Sequence, residues 1–142
     1  MKCALKNAVI LDGTAQMSPQ RGKDVLVDGE RIVKIQPTGG DLAGYRQIDL
    51  TGRYLMPGLF NMHVHLAGSG KPQKKQRDNE KLVKTIMASG LTRAVAYRMV
   101  YGFARQELMG GVTTIRTMGG LGDFDTRLRD EIAAGRKDGP RI

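Results

Sequence analysis

Short apolar runs separated by turn residues fill the first part of the chain. The run "AVIL" at residues 8–11 stops at the turn dipeptide Asp12-Gly13. Residues 24–35 hold two β-branched runs on either side of Asp28-Gly29, a dipeptide typical of hairpin turns. Residues 45–58 add one or two short strands that break at Thr51-Gly52. The pattern therefore predicts a small antiparallel β unit over residues 1–57.

The pattern changes after Pro57. Residues 59–66, "LFNMHVHL", are a short and mostly apolar run, which is typical of a strand covered on both faces. Apolar residues then recur at helical spacing from Asp78, in two stretches separated at Ser89-Gly90, and Gly110-Gly111 is placed to end the second stretch. Residues 112–117, "VTTIRT", predict a second buried strand.

The last part of the chain predicts one more helix. Asp123 or Asp125 can cap a short helix that carries Leu128 and Ile132, and "GPRI" at residues 139–142 is where a third strand could begin. Alternating strands and helices indicate an α/β fold with parallel crossovers. We expect two domains, with residues 58–142 forming a β1-α1-β2-α2 series.

Both histidines of the chain, His63 and His65, lie in the apolar run that follows Pro57. Side chains two residues apart on a strand point the same way, about 6.6–6.8 Å apart along the backbone. Two imidazoles at that spacing can converge on one cation. An H-x-H pair held only by structural hydrogen bonds is the alternative, and the pair by itself leaves both interpretations open.

Composition and charge narrow the class of protein. The 142 residues carry a net charge of +9, but only residues 71–77, "KPQKKQR", form a dense basic run, which is typical of a solvated loop. Aromatic residues are 5%, too few for base stacking, so we expect no nucleic-acid partner. A single cysteine, Cys3, fits a reducing compartment. No apolar run is long enough for a signal peptide or a membrane span, and we expect a cytoplasmic protein with no membrane partner.

Four motifs resemble the amidohydrolase superfamily, in particular its imidazolonepropionase-like and Xaa-Pro-dipeptidase-like branch. They are "VLVDGERIVKI", "YLMPGLFNMHVHLAG", "GVTTIRTMGG" and "GPRI", in the order the family has them. The resemblance implies a TIM-type (β/α)₈ barrel with a small β-sandwich built from both chain ends. It also implies one or two divalent metals, commonly zinc, with His63 and His65 as two ligands. The reaction would be hydrolysis of an amide or another C–N bond by metal-activated water, on a small-molecule or dipeptide-like substrate.

The chain departs from this family in its extent. Residues 58–142 are far fewer than the roughly 250 of a complete barrel, and no third histidine is present. Asp123 or Asp125 could contribute a carboxylate, although the family does not use that loop in this way. We expect an incomplete barrel, the N-terminal portion of a hydrolase, that is inactive by itself and holds no assignable catalytic residue. Exposed strand edges predict a homo-oligomer or association with the missing C-terminal part.

Two substitutions within the motifs also matter. Asn61 stands where the family usually has aspartate. Its side chain could hydrogen-bond a metal ligand and orient it, or it could be a buried, hydrogen-bonded amide without that role. Thr117 stands where relatives often carry aspartate. Two alternatives to the hydrolase remain: a non-catalytic metal-binding or assembly module with a vestigial H-x-H, and a basic nucleic-acid-binding domain.

Overall fold

The chain divides into two units, Met1–Pro57 and Gly58–Ile142. The structure is a computed structural model, and it describes residues 1–68 and 78–142. The predicted basic run at residues 71–77 lies outside the described residues. The strands of the first unit are β1 (Lys2–Lys6), β2 (Val9–Ile10), β3 (Lys23–Asp28), β4 (Arg31–Pro37), β5 (Arg46–Asp49) and β6 (Tyr54–Leu55).

The predicted hairpin of the first unit is confirmed, but the predicted antiparallel arrangement is only partly right. Strands β3 and β4 pair antiparallel, and Gly29 supplies the positive φ of 60° that their two-residue turn requires. The sheet order is β4-β3-β1-β5, and β1 and β5 run parallel. Strands β2 and β6 form a second, parallel pair. Non-neighbouring strands pair here, which a pattern read along the chain does not reveal.

The second unit contains β7 (Leu59–Val64), α1 (Asn79–Met87), α2 (Gly90–Met109), β8 (Val112–Thr117) and α3 (Phe124–Ala133). Strands β7 and β8 pair in parallel, as expected of a strand-helix-strand crossover. The predicted break between the two helices lies at Ser89, whose hydroxyl oxygen accepts a hydrogen bond from the Thr92 N–H at 3.2 Å. The described residues thus hold a βαβ unit and a following helix, and they form no closed barrel among themselves.

A parallel backbone bridge forms at "GPRI", where the sequence predicts that a third strand could begin. Arg141 forms an isolated parallel bridge to Thr114 of β8. The Ile115 N–H donates to the Arg141 carbonyl oxygen at 2.8 Å, and the Arg141 N–H donates to the Thr113 carbonyl oxygen at 2.8 Å. Strand β8 therefore has a parallel neighbour on each side.

The core of the second unit lies between the strands and the helices. Val64 and Leu66 are buried in this core, so Val64 faces the helices. The other buried members are Ala96, Tyr97, Val100, Ala104, Ile115, Phe124 and Leu128. The prediction that β7 is covered on both faces is wrong, because Phe60 is 68% exposed and Met62 is 57% exposed. Strand β8 is likewise only half-buried.

Gly58, which directly precedes β7, allows close packing of the two strands. Gly58 lies against β8, and a Cβ atom added there would overlap the side chain of Thr113. The start of β7 can approach β8 only because this residue lacks a side chain.

Candidate metal site

The two imidazoles converge on one point. His63 is in β7, His65 follows the strand, and both are exposed. Their Nε2 atoms are 3.2 Å apart, with the ring planes inclined by 61°. Two nitrogens bound tetrahedrally at about 2.0–2.1 Å from one zinc ion lie about 3.3–3.4 Å apart. The observed separation therefore fits two ligands of a shared cation, and without a cation it also fits an N–H···N hydrogen bond between the two rings.

The loop after β8 determines the tautomer of the His65 ring. His65 Nδ1 lies 3.3 Å from the Gly119 carbonyl oxygen. A carbonyl can only accept, so this hydrogen bond requires a proton on Nδ1, and in the neutral ring the lone pair then lies on Nε2. Gly119 has a φ of 116°, a backbone conformation that favours glycine. The first glycine of the "MGG" sequence, Gly119, therefore adopts the backbone conformation that directs its carbonyl toward His65.

Asn61 lies beside the pair and links it to α2. Its Oδ1 accepts a hydrogen bond from the His63 backbone N–H at 3.3 Å, and its Nδ2 donates to Glu107 Oε2 at 3.3 Å. The pairing of β7 with β8 shifts register between Asn61 and Val64, a bulge that re-aims side chains relative to a regular strand. Asn61 is half-buried and bonded on both sides.

Glu107 was not found from the sequence. It lies 46 residues from Asn61, near the end of a helix, and no local pattern joins the two positions. The sequence offers one weak signal: an acidic residue in the last turn of a helix that directly precedes a strand. Its half-buried position is visible only in the structure.

The two aspartates of the loop after β8 differ in burial. Asp123 is the exposed N-cap residue of α3, and its side chain makes no capping hydrogen bond. Asp125 is 8% exposed, and neither carboxylate oxygen has a hydrogen-bond partner among the described residues. Burial raises the pKa of the Asp125 carboxyl, and the neighbouring Thr117 side chain and the charge of His65 oppose that rise.

Neither aspartate completes a set of three ligands. Across residues 1–68 and 78–142, no group of three or more His, Cys, Asp or Glu side chains is arranged to hold a metal ion. The described residues therefore offer two converging imidazoles and an open side. A cleft of about 430 Å³ borders this side, and its lining includes Asn61, His63, His65, Phe103 and Glu107.

None of the described helices is long and apolar enough to span a bilayer.

Comparison with known proteins gives relatives for nearly the whole chain, although no family model matches it. The chain is 30% identical to a 5-methylthioadenosine/S-adenosylhomocysteine deaminase of Symbiobacterium thermophilum, across 94% of this chain and 34% of that protein. It is 34% identical to a dihydroorotase of Pediococcus pentosaceus, across 83% of this chain and 21% of that protein. A prolidase solved with N-methylphosphonate-L-proline superimposes with a TM-score of 0.75 at 25% identity, across all of this chain and 31% of that one.

These matches agree on one property of the chain. It spans about a third of the length of the deaminase and of the prolidase, and about a fifth of the dihydroorotase.

Proposed function

Because the chain belongs to the amidohydrolase superfamily, we propose that it is the N-terminal part of a metal-dependent hydrolase of C–N bonds, with His63 and His65 as two metal ligands. The observation that carries this proposal is the 3.2 Å separation of the two Nε2 atoms. The deaminase, dihydroorotase and prolidase among its relatives support the reaction class.

The proposed architecture follows the same family. Strands β7 and β8 are the first two strands of a (β/α)₈ barrel, and residues 1–57 contribute to a small β-sandwich. His65 and the loop after β8 lie at the C-terminal ends of their strands. Barrel enzymes build their active sites at that end.

The residues of this chain prepare two nitrogen ligands. Gly119 holds the proton of His65 on Nδ1, and Asn61 anchors the backbone at His63. A divalent cation bound there, zinc in the commonest case, supplies Lewis acidity that activates water and polarises the bond to be cleaved. The remaining ligands and the general base belong to later strands of the complete enzyme.

The proposed substrate is a small molecule or a dipeptide-like amide. The prolidase relative binds a proline analogue, which supports the second class. We expect the 142-residue chain to be inactive by itself, because two imidazoles leave a catalytic zinc short of its usual three protein ligands. We propose a cytoplasmic location, and we propose that this chain forms a homo-oligomer or associates with the missing C-terminal part of the barrel.

Metal binding tests this proposal. The purified, metal-depleted protein is titrated with Co²⁺, and the visible absorption gives the dissociation constant. We expect H63A and H65A each to weaken binding by more than about tenfold, since even a residue behind a ligand contributes that much. M62A, which removes the exposed neighbour of His63 in β7, serves as the control and leaves binding unchanged. Equal affinity in H63A and the unmodified protein would remove the ligand assignment.

A further inference from the structure

We propose that Glu107 is a positioning residue for the metal site, acting on His63 through Asn61. The inference rests on the proposed function and goes beyond it, because it adds a carboxylate on α2 and assigns it a task. The contacts that carry it are the hydrogen bond from Asn61 Nδ2 to Glu107 Oε2 and the hydrogen bond from the His63 N–H to Asn61 Oδ1, both 3.3 Å.

The chemistry of the three groups allows one arrangement. A carboxylate only accepts hydrogen bonds and a backbone N–H only donates them. Asn61 must therefore present its NH₂ group to Glu107 and its oxygen to His63. With Glu107 in place the amide cannot flip, so the acceptor for the His63 N–H stays where it is. An aspartate at position 61 would instead set two carboxylates against each other.

The position of Glu107 argues against a role in stabilising its own helix. It lies in the last turn of α2, where the helix dipole disfavours negative charge. That turn holds no basic residue. Over the described ranges, none of the ion pairs involves Glu107. Among the described residues, the side chain of Glu107 makes its hydrogen bond to Asn61. This bond connects α2 to the strand that carries His63.

The electrostatics of the cleft also link Glu107 to the metal site. Glu107 and both histidines line the same cleft. A cation held by the two imidazoles would bring positive charge to a half-buried carboxylate that no described basic side chain neutralises. Carboxylates that accept a hydrogen bond from an imidazole ligand raise metal affinity, and Glu107 would act one residue further away, through Asn61 and the His63 backbone.

Five variants test the inference by Co²⁺ affinity, with thermal unfolding as a check on folding. We expect E107A to weaken Co²⁺ binding by about tenfold. E107Q keeps an oxygen that accepts the same bond but removes the negative charge, so we expect it to lose less affinity than E107A, within about threefold of the unmodified protein. E80A removes an exposed carboxylate that pairs with Lys84 on the neighbouring helix, and it controls for net charge.

The double variant separates action through Asn61 from independent action. If the two residues work as a unit, N61A weakens binding as E107A does, and N61A/E107A loses nothing more. Equal losses in E107Q, E107A and E80A would overturn the inference, because net charge alone would then explain them. Additive losses in the double variant would also overturn it. A protein whose Co²⁺ binding does not depend on His63 removes the proposed function and this inference together, whereas His63-dependent binding that E107A leaves unchanged removes the inference alone.

Discussion

The buried carboxylate of Asp125 has no hydrogen-bond partner within residues 1–68 and 78–142. It is buried at the start of α3, and a Cβ atom on Gly120 would lie 2.5 Å from its carboxylate atoms. Burial raises its pKa in the folded chain above that of the unfolded chain. The carboxyl is therefore neutral in both states at low pH, and the folded state loses stability as the pH rises and the unfolded chain ionises more readily.

We predict that D125N stabilises the protein at pH 7. The neutral amide removes the cost of burying an ionised carboxylate without partners, about 1–3 kcal/mol. The gain in melting temperature should shrink as the pH falls below about 4, where the carboxyl of the unfolded chain takes up its proton. Thermal unfolding between pH 3.5 and pH 8 measures the difference.

The matched control is D123N. Asp123 is exposed and its side chain caps nothing, so this change should leave the melting temperature unaltered at every pH. A stability gain of the same size in both variants, or one for D125N that does not depend on pH, would contradict the role given to burial.

Two glycines with open space around them have opposite effects on their elements. Gly29 turns the β3-β4 hairpin with a φ of 60°, and Gly102 lies inside α2. A Cβ atom at either position meets nothing within 4 Å. Any change in stability on substitution therefore comes from backbone conformation rather than from packing.

We predict that G29A destabilises the protein by about 1–2 kcal/mol, because an alanine must adopt the left-handed conformation there. G102A should stabilise it by about 0.5–1 kcal/mol, because alanine favours the helix and restricts the unfolded chain. Urea unfolding followed by circular dichroism measures both midpoints. Shifts of the same sign would show that local packing, not conformation, dominates at one of the two positions.

Sequence patterns anticipated the elements better than their pairing. The hairpin turn, the break at Ser89, the strand at Val112–Thr117 and the bridge at Arg141 all have local signals, namely turn dipeptides, caps and apolar runs. The parallel partners of β1 and β2 have none, since they lie more than 40 residues away along the chain. The exposure of β7 also escaped prediction, because an apolar run does not tell which faces its neighbours cover.

At the scale of the whole molecule, apolar side chains remain exposed along α2. Leu91 is 77% exposed, and Val95 and Met99 are each 56% exposed at helical spacing. Contiguous apolar surface of this kind drives association. We predict that the 142-residue chain self-associates in solution, with a sedimentation coefficient that rises with concentration.

The double variant L91K/M99K should reduce this self-association, because it places charge on the apolar row. Q106K adds charge at an exposed polar position of the same helix and should leave association unchanged. A single monomeric species at all concentrations would contradict the prediction.

The site was predictable in part for the same reason that the elements were. The H-x-H spacing and its strand indicate two imidazoles on one side, and their convergence in the structure agrees with that geometry. The carbonyl of Gly119 meets His65 and the carboxylate of Glu107 meets Asn61 only after the chain has folded, from 54 and 46 residues away. Whether His63 and His65 bind metal stays a prediction.

The contact between His65 and Gly119 joins the end of β7 to the loop after β8. Under the proposed function, a cation binds only when both are in place, so it acts as a ligand of the folded state. By mass action, free metal at a hundred times its dissociation constant adds about 2.7 kcal/mol to the folding free energy. The supply of free metal would then determine how much of this chain is folded, before any substrate is present.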